Sequence, residues 1–121
     1  MKFLKHEIIA KFGEGWVKQD PEIVMALIAS SDLKYYESTF EEPTTSWDRV
    51  KTLWDVVPDN QSDVSWWHEI LVEDDSMALA HVKVTRTLQP SGEKQNIDAA
   101  FLFGFNDEGK INYFRQWREL K

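Results

Sequence analysis

Residues 64–119 read VSWWHEILVEDDSMALAHVKVTRTLQPSGEKQNIDAAFLFGFNDEGKINYFRQWRE, and the period of this stretch decides the fold. Apolar and polar side chains alternate along it, which is the pattern of half-buried strands. The alternation breaks at Asp74-Asp75, at Ser91-Gly92 and at Asn106-Asp107-Glu108-Gly109, all residues that favour turns. The spacing predicts an antiparallel meander of strands near 64–73, 77–89, 94–105 and 110–119.

The breaks also set the register. Taken as two short hairpin loops and one longer loop, they assign every side chain to a face. One face collects Val82, Val84, Phe101, Phe103 and Phe114, with Trp67, Glu69, Arg86, Asn112, Gln116 and Arg118 as its polar or amphipathic members. The other collects His68, Ile70, Leu79, His81, Leu102, Tyr113 and Trp117. The first face needs a cover of helices. The second is more apolar than a freely solvated face requires, which predicts a partner surface, most simply a second copy of the chain.

Upstream, the cover is present. Leu4, Ile8, Phe12 and Trp16 recur every fourth residue with Ile9 beside them, so a helix is expected near 3–18. Gly13 and Gly15 interrupt it, either to admit a close neighbour or to end the helix early. Asp20-Pro21-Glu22 reads as cap, first-turn proline and acidic first turn of a second helix near 21–29. Leu33 to Phe40 is rich in strand formers, and Thr45 or Ser46 opens a third helix near 46–57. The fold class expected is α+β: three N-terminal helices packed on a curved antiparallel sheet, as one domain over 1–121.

Composition narrows the chemistry. The 121 residues contain no cysteine, which excludes a disulfide framework, a thiolate metal site and a cysteine nucleophile, and which fits a cytoplasmic location. A net charge of −7 with scattered basic residues argues against a nucleic-acid partner. The start, Met1-Lys2-Phe3-Leu4-Lys5-His6-Glu7, breaks with charge too soon for a signal peptide, and no run approaches the ~18 apolar residues of a membrane span. Six tryptophans suit either a dense core or the walls of a ligand cavity. Gly13-Glu14-Gly15 lacks the strand and third glycine of a phosphate loop, and no seryl-hydrolase, zinc-peptidase or calcium-loop motif occurs, so no cofactor and no metal is expected.

The order of elements, three helices with a strand after the second and then a meander, resembles the nuclear transport factor 2-like superfamily and its SnoaL-like members. The resemblance rests on Trp16-Val17-Lys18-Gln19-Asp20, on Ser31-Asp32-Leu33, on Val72-Glu73-Asp74-Asp75 and on the run Phe103-Gly104-Phe105-Asn106-Asp107-Glu108-Gly109-Lys110-Ile111. It covers the chain from about Ile8 to Glu119. What it implies is a cystatin-like cone with a pocket between helices and sheet, and commonly a homodimer. It implies no single reaction, because one fold hosts many. The proton-shuttling carboxylate of the ketosteroid isomerases falls near Glu37, while their oxyanion-hole tyrosine and aspartate fall near Phe12 and Phe101. Neither phenylalanine donates a hydrogen bond, so steroid isomerisation by that mechanism is not expected.

The site expectations follow. Glu37 and Glu69 are the candidate acid–base residues, since a carboxylate among aromatics is desolvated and drawn toward neutrality. The competing reading pairs either glutamate with Arg86 or Arg118 as a structural ion pair. Phe12, Trp16, Trp54, Trp67, Phe101 and Phe114 would hold the body of a small apolar or aromatic ligand, with Arg86, Asn112 and Gln116 orienting its polar groups. His68 and His81 come out opposite each other; with no third ligand beyond the misaligned Asp98, they read as surface histidines of a dimer. Two functions stay open: a cofactor-free isomerase, dehydratase or cyclase, and a non-catalytic binding or dimerisation module.

Overall fold

The apolar stripe of the first helix winds α1 over Lys5–Val17, burying Ile9, Phe12 and Trp16. A computed structural model describes residues 4–38 and 41–121 of the chain. Of the elements expected, Phe3 and the end of the strand at Thr39-Phe40 lie outside the described residues. The two glycines of α1 admit close neighbours. The Trp66 indole lies directly on Gly13, where any side chain would overlap it, and Val24 stands 2.6 Å from where a Cβ of Gly15 would be.

Asp20 caps α2, Pro21–Met25, by accepting from the Glu22 amide at 3.0 Å. This helix stops earlier than expected because the next residues join the sheet. Ile111 donates its amide to Leu27 and accepts from Ala29, a parallel bridge that helical backbone could not make. The strand β1 is likewise short, Lys34–Tyr35, and lies parallel to the last strand. Ser46 caps α3, Trp47–Asp55, and an unforeseen single turn, α4 at Val57–Asn60, follows. It places Pro58 in its first turn, where a missing amide costs nothing.

Four long strands follow: β2 (Gln61–Glu73), β3 (Met77–Leu88), β4 (Lys94–Phe105) and β5 (Ile111–Leu120). The sheet order is β1-β5-β4-β3-β2. Phe101, Phe103 and Phe114 point at the helices and ring Phe12 at centroid distances of 6.5, 5.5 and 5.5 Å. The face expected for β3, for β4 and for β5 from Tyr113 onward is therefore the face they bury.

The first two turns differ from the expected ones by even steps, which leaves the faces intact. The third is off by one until a bulge between Gly104 and Phe105 adds a second step, so Ile111, expected outward, is buried. The first hairpin turns at Asp75-Ser76, with Asp74 donating to the Met77 carbonyl at 3.0 Å and its carboxylate accepting from the Ser76 and Met77 amides. Those amide bonds hold the Asp74 carboxyl below the usual range. In the second, Leu88 bonds Glu93 at 2.8 Å, so the loop spans 89–92.

In β2 the faces invert. The register shifts between Ile70 and Val72, leaving Leu71 as an extra residue, and shifts back between Ser62 and Ser65, where Asp63 takes the left-handed φ of 51°. Between these two bulges every side chain lies opposite to its expected face. Trp66, His68 and Ile70 thus point inward beside Val84, Val82 and Ala80, while Trp67 and Glu69 point outward beside Lys83 and His81. His68 and His81 do not meet.

Candidate functional site

At one end of the sheet, the helices and the concave face do not close on each other. They leave a cavity of about 260 Å³. Its apolar wall is Phe12 and Trp16 from α1, Leu53 and Trp54 from α3, Phe101 from β4 and Phe114 from β5. Its polar members are Tyr35, Glu37, Asn60, Gln61, Arg86, Gln116 and Arg118. Strand alternation delivers Phe114, Gln116 and Arg118 to this side of β5, and α4 carries Asn60 to the rim.

Two of the tryptophans act as handles as well as walls. The Trp16 indole donates to Gln61 Oε1 at 2.8 Å, and the Trp54 indole donates to the Tyr35 hydroxyl at 3.1 Å. Tyr35 is buried and stacks on Phe114 at 4.7 Å. Because its oxygen already accepts from Trp54, its own proton is left to donate, and none of the described residues receives it. Burial pushes the phenol well above the ordinary tyrosine range; the Trp54 bond opposes that weakly and the Glu37 charge adds to it. Tyr35 is therefore a fixed O–H donor at any neutral pH.

Glu37 lies just past β1 at the cavity mouth and is exposed, so the desolvation expected of it is not found, and its backbone carbonyl accepts from Gln116 Nε2 at 3.4 Å. Among the described residues no ion pair joins it to Arg86 or Arg118. Arg86 is half-buried and gives both Nε and Nη2 to Gln95 Oε1. Burial, and then the charge of Arg118, lower its pKa.

Of the residues expected at the site, the cavity gathers Glu37, Phe12, Trp16, Trp54, Arg86, Phe101, Phe114 and Gln116. Three lie elsewhere. Glu69 and Trp67 stand on the outer face, through the inversion of β2. Asn112 is skipped by the ladder where Gly104 pairs with Tyr113 and Phe105 with Ile111, and its side chain lies against Gly104. Sequence reasoning missed Asn60 and Gln61, and took Tyr35 only as an aromatic neighbour of the carboxylate and not as a donor, although its spacing from Glu37 already put both on one side of a strand. No cluster of three or more metal-ligating side chains exists among the described residues.

The architecture is shared with solved structures. An LEH-like epoxide hydrolase of M. tuberculosis superposes with a TM-score of 0.78 at 16% identity, over 95% of this chain and 82% of that one. SalBIII, an epoxide hydrolase/cyclase-like enzyme of pyran ring formation in the polyether salinomycin, gives 0.81 at 14% identity, over 95% and 90%. The Δ5-3-ketosteroid isomerase of a Mycobacterium species gives 0.76 at 14%, over 96% and 97%. At such identities the likeness is one of fold, a helical layer on a curved five-stranded sheet. No curated protein matches the sequence. The profile of the SnoaL-like domain matches residues 9–114, from the buried start of α1 to the phenylalanine behind the cavity, and the chain belongs to that family.

Proposed function

We propose that this protein binds a small, largely apolar or aromatic molecule in the cavity and moves a proton on it without a cofactor. The observation that supports this is a convergence: aromatic walls on one side, and Tyr35, Glu37 and Gln116 together at one end. Glu37 is the base. Its carboxylate takes a proton from a carbon next to a carbonyl, and the electron pair moves onto the carbonyl oxygen. The Tyr35 hydroxyl, locked by Trp54, donates to that oxygen as its charge grows. Return of the same proton to a different carbon completes an isomerisation, and proton removal of this kind also begins a dehydration or cyclisation. Tyr35 thus supplies from β1 the donor that Phe12 and Phe101 lack.

The test has two readouts. In an indole 15N NMR titration with 2-tetralone, the Trp16 and Trp54 signals should shift while those of Trp67 and Trp117 stay in place. The protein should also speed deuterium exchange at the α-carbon of 2-tetralone, and Glu37→Gln should reduce that rate by at least about 100-fold, the usual worth of a positioned base. Absence of exchange with the indole shifts intact would leave a binding protein only. Absence of both would remove the reading.

The same proposal includes a homodimer through the outer sheet face. What supports it is exposed apolar area: Trp67 is 46% exposed, Leu71 55% and Trp117 43%. Leu79, Leu102 and Tyr113 lie half-buried among them, whereas Ile70, expected there, packs against the core.

A further inference from the structure

The cavity carries more positive charge than its surroundings account for. Arg86 reaches it from β3, half-buried, and Arg118 from β5, exposed, so that two guanidinium groups line one cavity. Neither has a carboxylate within ion-pair distance among the described residues. The only hydrogen-bond acceptor for Arg86 there is the side chain of Gln95, a neutral amide that takes two of its donors and fixes its orientation without cancelling its charge. A guanidinium half-withdrawn from water is costly unless something negative meets it. The chain has 21 acidic residues against 14 basic ones, so partners were plentiful, yet neither arginine is given one. Glu37 shares the cavity but makes no ion pair with them. The proximity of Arg118 also depresses the Arg86 pKa, as an unneutralised pair requires.

We infer that the ligand of this cavity is an anion, an aromatic or polycyclic carboxylate whose ring lies against Trp54 and Phe114 and whose carboxylate is held by Arg86 and Arg118. The inference rests on the proposed cavity function and adds the charge class of its ligand. Planar guanidinium groups suit a carboxylate because they offer two parallel donors to its two oxygens. Gln95 holds Arg86 by one edge and leaves its other donors for the ligand. A second arginine on the same rim raises selectivity for charge over a merely polar group. The net −7 of the chain makes local cations the more necessary, since the long-range field repels an anion.

The experiment compares two probes of one shape, 2-naphthoate and its neutral amide 2-naphthamide, titrated calorimetrically into the full chain. At low salt the carboxylate should bind about tenfold tighter or more, the scale of one charge-assisted hydrogen bond. Raising the ionic strength should shrink that preference, a readout that needs no variant. Arg86→Gln and Arg118→Gln should each cut the preference for the carboxylate by about threefold or more, as loss of a charged contact predicts. Arg86→Lys, which keeps the charge, should retain part of it. Equal binding of the two probes in the wild type would overturn the inference and leave the cavity reading standing, as would a preference that persists in the double variant. If neither probe binds, or both bind without moving the Trp16 and Trp54 indole signals, the cavity reading fails and the inference falls with it.

Discussion

The two faces of this sheet are built from similar side chains and do opposite things. On the inner face Val82, Phe103 and Phe114 are fully buried, with aromatic rings meeting edge-on or stacked from Phe12 through Phe105. On the outer face Trp67 and Trp117 are nearly half exposed and are covered by cations instead of apolar atoms. Lys83 lies 5.3 Å over the Trp67 ring, and Arg115 bridges Tyr36 at 4.5 Å and Trp117 at 5.3 Å. His81 Nε2 and Asp98 Oδ1 lie at hydrogen-bond distance, 2.6 Å, among them. Burial, not composition, separates the faces. An apolar residue stabilises the monomer only where the helices remove it from water. Outside, the same area stays half exposed, with cations lying over the rings.

That comparison has a direct way to break. Phe103→Ala removes a fully buried ring that touches Phe12, Phe101, Phe105 and Phe114, and should cost about 3–5 kcal/mol in a urea denaturation. Trp117→Ala, at an exposed position, should cost the monomer less than about 1 kcal/mol. Equal losses would mean that the outer face is as much a core as the inner one.

A smaller effect sharpens the point. If the outer face closes on a second copy, Trp117→Arg should move the sedimentation profile from dimer to monomer at micromolar concentration. Burial of each large side chain there is worth on the order of 1.5–3 kcal/mol before the cost of association is subtracted. The unfolding midpoint of the monomer should hardly change. A wild-type profile that is already monomeric sinks the dimer and leaves the two Trp rings as plain surface.

What the sequence made legible follows the same division. The faces of β3 and β4 were readable because the first two turns erred by even steps, and β5 was readable from Tyr113 onward because a bulge made its single-residue error even, though Ile111 was lost to it. β2 was unreadable between Asp63 and Leu71 because bulges add single residues, and neighbouring Trp66 and Trp67 are chemically identical candidates for the inside. One clue did exist: Gly13 in the middle of α1 marks where a large ring must lie, and that ring is Trp66. Glu69 and Trp67 left the site with that strand, while Glu37 and Phe12 were placed by elements without bulges. Tyr35 was harder still. Its value lies in a bond from Trp54, nineteen positions away on another element, which no local pattern encodes.

The inverted stretch of β2 also yields the subtlest test. Trp66 Nε1 donates to His68 Nδ1 at 2.9 Å, and His68 Nε2 meets Nδ1 of His6, on α1, at 3.1 Å. An indole nitrogen only donates, so His68 Nδ1 must be bare and the His68 proton must sit on Nε2, pointing at a bare nitrogen of His6. The chain from Trp66 to His68 to His6 runs in one direction and holds only while both rings are neutral. Protonating His68 sets an N–H against the indole N–H. Burial, and then the neighbouring His6, lower the His68 pKa accordingly. A histidine that binds its proton less tightly in the fold than in the unfolded chain stabilises the fold above the ordinary ~6.5. That stabilisation is lost as pH falls through and below this value. The melting temperature should therefore drop between about pH 7.5 and pH 5.5, a range in which ordinary carboxylates stay ionised. In His68→Asn, which does not titrate, the drop should be shallower, and in His6→Ala intermediate, because burial still acts on His68 but its neighbour does not. An identical slope in all three proteins would show that the contact between α1 and β2 does not depend on the protonation of these rings.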